Sequence, residues 1–120
     1  MFRLTAILLA LSLLTTSVAA QKWIGFGGVS CGSWSEKRRT EPEVSAAYTV
    51  WVLGFVSGAN VDQTILLGHP DFLKNTDKDG IVTWMNNYCA SHPLDTVMTA
   101  TLKLMAALRD KAVNGRPQSK

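Results

Sequence analysis

The chain has 120 residues, of which 47% are hydrophobic and 18% are charged, and it carries a net charge of +3 at pH 7. A chain of this length forms one domain rather than two. Its basic residues lie among acidic ones instead of forming the dense basic patch that nucleic-acid binding requires, so we expect no nucleic acid as a partner.

The N-terminal segment has the pattern of a secretory signal peptide. Arg3 supplies a positive charge, residues 4–14 are apolar, and Val18 and Ala20 place small residues at the −3 and −1 positions of a cleavage site. We therefore predict that residues 1–20 are removed after Ala20 and that the mature protein is periplasmic. Loss of Arg3 lowers the net charge to +2.

Two cysteines, Cys31 and Cys89, follow the predicted cleavage site. An even cysteine count in an exported chain indicates a disulfide, because the compartment is oxidising and no thiol is left over. We predict a Cys31–Cys89 bond. Since it closes a loop of about 60 residues, it stabilises the small core by about 4 kcal/mol in the chain-entropy model.

Residues 21–39 are rich in glycine and aromatic residues, and we predict an irregular arm that Cys31 anchors to the body of the protein. Trp23 and Trp34 lie in this arm. Each either fills the core or contacts another protein, since tryptophan is frequent in interfaces. Both are therefore candidate partner-binding residues.

The first long helix is predicted to begin at Thr40 and to end between Gly58 and Asn60. Residues 40–43 read Thr-Glu-Pro-Glu, which combines a capping-box pattern with proline in the first turn. Apolar residues follow at helical spacing on more than one side, which places this helix at the centre of the fold. Gly54 and Gly58 form a G-x-x-x-G pattern, which we interpret as a site of close packing against another helix or the arm, rather than as a dimerisation motif.

Two further helices are predicted after a loop over residues 60–75. The second begins with Asp77 as a capping residue and ends at Cys89, with Asn86 turned outward. The third follows Pro93, which suits a first helical turn, and ends near residue 113. Its predicted inward-facing residues are Leu94, Val97, Met98, Leu102, Met105 and Leu108.

The predicted fold is an all-α bundle of three main helices over residues 40–113, with an irregular N-terminal arm, one disulfide and a flexible tail over residues 114–120. Beyond the predicted signal, we expect no apolar run of the length that a membrane span needs. Membrane insertion is therefore not predicted.

Two patterns imitate metal sites without completing them. Residues 75–80 have the spacing of the start of a calcium-binding loop, but the twelfth position, which needs a bidentate acid, is Asn86. His69 and His92 lack the partner four residues away that zinc-binding helices use. No serine or cysteine lies in a recognisable nucleophile context. We therefore predict no metal, no cofactor and no enzymatic activity.

The order of Cys31, the Val-Leu-Gly-Phe stretch over residues 52–55 and Cys89, followed by an amphipathic helix, resembles the HdeA family of periplasmic acid-stress chaperones. These are small exported helical proteins with a single disulfide. The Gly-Phe-Val-Ser-Gly segment over residues 54–58 also resembles that of the Rap/Tai immunity proteins, which neutralise effectors of type VI secretion.

The two resemblances imply two functions, both without catalysis. As an HdeA-like holdase, the protein loosens in acid, when its nine carboxylates are neutralised and its positive charges repel one another, and it then binds unfolded clients. As an immunity or inhibitor protein, it blocks one effector or periplasmic hydrolase at neutral pH through a preformed surface that includes Trp23 or Trp34. Either function has other proteins as partners, and a homodimer is a further alternative.

Overall fold

The computed structural model describes residue 22 and residues 24–115, and the regular structure within them is entirely helical. The elements are a 3₁₀ turn, Phe26–Gly28, and four α-helices: α1 (Cys31–Thr40), α2 (Pro42–Ile65), α3 (Lys78–Ser91) and α4 (Val97–Asn114). The prediction of a small all-α bundle with one disulfide is confirmed. The predicted signal peptide, Trp23 and most of the predicted tail lie outside the described residues.

The bundle has four helices rather than three, because the predicted irregular arm is helical from Cys31 onward. The Ser30 side chain caps α1 by accepting a hydrogen bond from the Ser33 backbone N–H at 3.0 Å. Cys31 and Trp34 lie one turn apart on α1, so both reach the core from the same side of the helix.

The disulfide joins the first residue of α1 to the last turns of α3, and both cysteines are buried. Two backbone hydrogen bonds reinforce this junction. The Cys31 N–H donates to the Asp95 carbonyl at 2.7 Å, and the Gly32 N–H donates to the Pro93 carbonyl at 2.9 Å. The start of α1 is therefore held against both α3 and the α3–α4 connector.

Helix α2 begins two residues later than predicted and ends well beyond the predicted stop. Thr40 belongs to α1, where its hydroxyl donates to the Glu36 carbonyl, so the predicted capping box does not form. Pro42 occupies the first turn as predicted. The helix continues past Gly58 to Ile65 because its last turns are held by the segment that follows.

That segment, residues 66–77, packs across the C-terminal half of α2. Asn60 accepts a hydrogen bond from the Phe72 N–H at 3.0 Å, and the buried Gln63 donates to the Pro70 carbonyl at 2.9 Å. Arg109 of α4 donates to Gln63 at 2.8 Å and places its guanidinium 5.1 Å from the centre of the Phe72 ring. These contacts fix the loop to two helices at once.

The core lies on one side of α2, where α1, α3 and α4 meet it. Its largest members are Trp34, Tyr48, Val52, Val56, Phe72, Ile81, Met85, Val97, Leu104 and Met105. The buried polar side chains are the neutral Ser45, Gln63 and Thr101, and no acidic or basic side chain is buried in the part of the chain that the structure describes.

Helix α3 begins as predicted, with Asp77 accepting a hydrogen bond from the Gly80 N–H at 2.7 Å. The prediction that Asn86 points outward is wrong. Its amide oxygen accepts a hydrogen bond from the indole N–H of Trp34 at 2.9 Å, and the indole is 1% exposed. The contact satisfies the polar atom of the largest side chain in the core.

Helix α4 starts at Val97, with Thr96 as its cap, rather than at residue 94. The backbone of the connector before α4 is hydrogen-bonded to the start of α1, and Ser30 and Thr96 form a short β-bridge. Because these backbone groups are bonded to another part of the chain, the connector is not helical. Leu94 is consequently 96% exposed, and Leu102 is also exposed, so their predicted inward positions are wrong. The helix ends at Asn114, close to the predicted boundary.

We predict that reducing the disulfide lowers the free energy of unfolding by about 4 kcal/mol, because the two cysteines are 58 residues apart and the reduced unfolded chain gains that freedom. Urea denaturation of the oxidised and reduced protein measures the difference. A Cys31→Ala/Cys89→Ala variant is the control, since added reductant leaves its transition unchanged. Coincident transitions for oxidised and reduced wild type would contradict the prediction.

We also predict that Asn86→Ala lowers stability by about 1–3 kcal/mol, because it leaves the buried Trp34 N–H without an acceptor. In a Trp34→Phe background the same change has a much smaller effect, since no N–H remains to be satisfied. A double-mutant cycle in urea isolates this coupling. Additive effects of the two substitutions would show that the hydrogen bond contributes nothing.

Candidate protein-binding surface

The side of α2 that faces away from the core is apolar and open to solvent. Its residues are Ala46, Val50, Gly54, Ser57, Gly58 and Val61, which we call the outer α2 face. At 100° per residue they lie opposite the core residues Val52 and Val56. Val50 is 68% exposed and Val61 is 54% exposed. No charged residue occurs between positions 44 and 61.

The two glycines of the G-x-x-x-G pattern lie in this face and touch nothing. A Cβ added at Gly54 or Gly58 meets no atom within 4 Å outside the helix's own neighbouring turns. The prediction that they mark close packing within the chain is therefore wrong. The core contacts of Tyr48, Val52 and Val56 orient the helix so that the glycines face outward.

The glycines form the floor of a shallow trough along the helix. Helical geometry places Val50 and Val61 along one edge and Trp51 and Phe55 along the other. The two aromatic rings stack with centroids 5.4 Å apart and are half-buried. The trough therefore has apolar side chains along both edges and none on its floor. Bulky apolar side chains of another protein fit into a groove of this shape.

The N-terminal segment reinforces the aromatic edge. The Trp51 indole N–H donates to the Ile24 carbonyl at 3.0 Å, and Ile24 itself is exposed. The next residue, Gly25, has a φ of +106°, and a Cβ there would collide with the Trp51 ring. Glycine is required at this position both for its backbone conformation and for its close approach to the indole.

Apolar exposure continues beyond the C-terminal end of the face. Ile65, Leu66 and Leu67 are three consecutive aliphatic residues, each more than 60% exposed, before the chain turns at Gly68 with a φ of +64°. A run of this kind is unusual on a solvated surface and is typical of an interaction site.

The only charged residues of α2 are acidic and lie near its two ends. Glu43 is in the first turn and Asp62 is in the last turn, and both are exposed. Neither takes part in an ion pair within the described residues. Helix α2 contains no lysine or arginine, although the whole chain has a net charge of +3.

By length and composition alone, α2 is long and apolar enough to cross a membrane, and it is the one such helix among the residues that the structure describes. Serine, threonine and asparagine interrupt the apolar residues of this helix, and the prediction that the protein does not insert into a membrane stays a prediction. Only 22% of its most apolar 18-residue window is buried in the bundle. The helix nevertheless supplies Tyr48, Val52 and Val56 to the core.

The structure places the predicted site residues in different surroundings. Cys31 and Cys89 form the predicted bond. Trp34 fills the core, so the prediction that it contacts a partner is wrong: a side chain that is 1% exposed presents no surface. Trp23 lies outside the described residues. Asp77, which belongs to the pattern that imitates a calcium loop, caps α3.

The two histidines do not converge with other ligating side chains. His92 stacks on Tyr88, with ring centroids 4.1 Å apart, and Tyr88 stacks in turn on Trp84. The Tyr88 hydroxyl donates to Asp95 at 2.6 Å, which raises the pKa of Tyr88 above its usual value, with burial adding to the shift. His69 lies in the exposed loop after α2. No group of three or more ligating side chains forms within residues 24–115.

A cleft of about 540 Å³ lies between the 70–76 loop and the end of α4. Phe72 and Leu108 line its apolar part, and Lys74, Lys111 and Asp71 line its polar part. The Asp71 carboxylate is already engaged with the Asn60 amide and the Leu73 N–H. These hydrogen bonds hold the loop in place, and they leave Lys74 and Lys111 as the remaining charged side chains of the cleft lining.

Sequence reasoning missed the outer α2 face, although a signal for it was present. The uncharged run over residues 44–61 is apolar all around the helix, which is more than a single core-facing stripe needs. From the sequence, this excess predicts a helix that is covered on more than one side. The structure covers one side and leaves Val50 and Val61 exposed.

No protein-family model matches the chain, and comparisons with curated proteins and with solved structures give no match. The fold and the surface together define a small, disulfide-linked all-α domain with an exposed, uncharged helix face.

We predict that Gly54→Ala and Gly58→Ala each raise the free energy of unfolding by about 0.5–1 kcal/mol, because alanine favours the helix and its Cβ meets nothing at either position. Urea denaturation measures the gain. Gly25→Ala is the contrasting variant and lowers stability, since it strains the backbone and collides with Trp51. Destabilisation by either α2 substitution would reveal a contact at the outer face within the monomer.

Proposed function

We propose that the chain is a non-enzymatic protein-binding protein of the periplasm, an HdeA-like holdase, and that it binds its clients with the outer α2 face. The observation that carries the proposal is the exposed apolar side of α2, on which Val50 and Val61 are more than half exposed and no charge interrupts 18 consecutive positions. The exposed Ile65, Leu66 and Leu67 extend this apolar surface beyond the face itself, and contiguous apolar surface of that extent is typical of an interaction site.

The size of the face favours transient binding. Residues 46–61 span about 22 Å along a helix roughly 10 Å wide, which gives an area of about 220 Å². A stable interface buries about 800 Å² on each partner. At about 25 cal/mol per Å², burial of this face contributes about 5 kcal/mol, most of which the entropy of association offsets. Weak, reversible contact suits a holdase that binds and releases many clients.

The disulfide supports an oxidising compartment, in agreement with the predicted signal peptide. The bond also suits a holdase that experiences acid. It keeps the chain compact when repulsion between positive charges loosens the core, because covalent closure does not depend on pH. Acid then adds core residues such as Met85 and Leu104 to the apolar surface that is already exposed at neutral pH.

The alternative function is that of an immunity or inhibitor protein with one specific target. The preformed trough with Gly54 and Gly58 as its floor favours this alternative, since it accepts a partner without rearrangement. Tight binding then requires more area than the outer α2 face provides. Ile65, Leu66 and Leu67, together with the exposed Ile24, offer such an extension.

We predict that the oxidised protein suppresses aggregation of malate dehydrogenase, measured by light scattering at pH 7 on heating and at pH 3, when present in several-fold molar excess. Val50→Lys removes most of the suppression at pH 7, because a charge in the centre of the face opposes burial of apolar segments. Val113→Lys is the matched control, since Val113 is also an exposed valine but lies on α4.

Two outcomes would overturn the proposal. No suppression at either pH would exclude the holdase function and leave the inhibitor alternative. Equal suppression by the wild type and by Val50→Lys at pH 7 would show that clients bind elsewhere on the protein.

A further inference from the structure

We infer that the segment bound by the outer α2 face is an amphipathic helix with basic residues at both ends of its apolar stripe. This inference rests on the proposed function and names the chemistry of the bound segment. It follows from three features of α2: the shape of its trough, the state of its backbone and the sign of the charges at its ends.

The trough accepts a helix side by side with α2. Ala46, Val50, Gly54 and Gly58 are spaced four residues apart and form one ridge line along the helix, on which the two glycines leave a gap. Large side chains of a second helix can enter this gap, flanked by Val61 and the Trp51 ring. The missing Cβ atoms permit a short distance between the two helix axes.

The backbone of α2 argues against an extended segment. All the N–H and C=O groups in the middle of α2 are bonded within the helix, so the outer face offers no hydrogen-bonding partners to a strand. An extended peptide lying on this apolar face would leave its own backbone groups without partners where it is covered. A helix satisfies its backbone internally and presents only side chains.

The two acidic residues of α2 indicate which residues lie at the ends of the bound helix. Glu43 and Asp62 are 19 residues apart, which corresponds to about 28 Å along α2, and no residue of the helix between them is charged. Both carboxylates are exposed and neither is in an ion pair among the described residues. Lysine or arginine near each end of a bound helix of about five turns meets these carboxylates.

The same charges disfavour a membrane as the occupant. A helix that lies on an anionic lipid surface carries lysine and arginine beside its apolar face. Helix α2 has none, and its two charged residues are acidic. Anionic headgroups would be repelled at Asp62, whereas Glu43 at the other end lies close in sequence to the basic last turn of α1.

The test uses two fluorescently labelled 18-residue helical peptides with the same leucine stripe, one with lysine and the other with glutamate at both ends. Binding to the oxidised protein is measured by fluorescence anisotropy at pH 7 and low ionic strength. We expect three- to tenfold tighter binding of the lysine-ended peptide, the size expected of two exposed ion pairs. We expect high salt to remove most of this preference.

Two pairs of variants separate shape from charge. Gly54→Leu fills the trough and weakens both peptides at least tenfold, whereas Ala106→Leu, which places the same side chain at an exposed position of α4, leaves binding unchanged. Glu43→Lys/Asp62→Lys reverses the preference between the peptides. Asp79→Lys, a first-turn acid on α3, retains it.

Each contrary result overturns the inference in a distinct way. Equal affinity for the two peptides would refute the role of Glu43 and Asp62. No binding of either peptide, in a protein that still suppresses aggregation through Val50, would refute the helical occupant and leave the proposed function intact. Tighter binding to vesicles of anionic lipid than to the lysine-ended peptide would make the face a membrane site instead.

Discussion

The attachment of α1 at Cys31 is the constraint on which the rest of the structure depends. At this one residue the chain is bonded covalently to α3 through Cys89 and hydrogen-bonded to the carbonyl of Asp95. One turn later, Trp34 enters the core and donates to Asn86. A ten-residue helix with two buried side chains has little tendency to fold alone. It is stable here because its first turn is held at several points.

This attachment also determines which side of α2 is covered. Helices α1, α3 and α4 all gather on the side marked by Tyr48, Val52 and Val56, and the loop after α2 closes the C-terminal end of that same side. No further α-helix of the described chain remains to cover the opposite side. The exposed valines and glycines of α2 are therefore a consequence of how a small chain distributes its few helices around one long one.

Local patterns in the sequence predicted most of the helices, because those patterns act within a few residues. Pro42 and Asp77 act within the first turn of the helices that they begin, and the stripe around Met85 and Met105 needs only helical spacing. Contacts between distant residues decided the rest. The helical state of α1 depends on Cys89 and Asn86, the exposure of Leu94 depends on hydrogen bonds from α1, and the bare glycines depend on which side of α2 is covered.

The described core holds no acidic or basic side chain, and this determines how the fold depends on dissolved salt. A buried ion pair would have to lose its hydration on folding, and replacing one partner would leave the other uncompensated. Here the helices are joined by apolar contacts and by the disulfide, and neither is an interaction between charges. Ionic strength screens the charges at the surface, so it leaves the contacts that join the helices unscreened and unchanged.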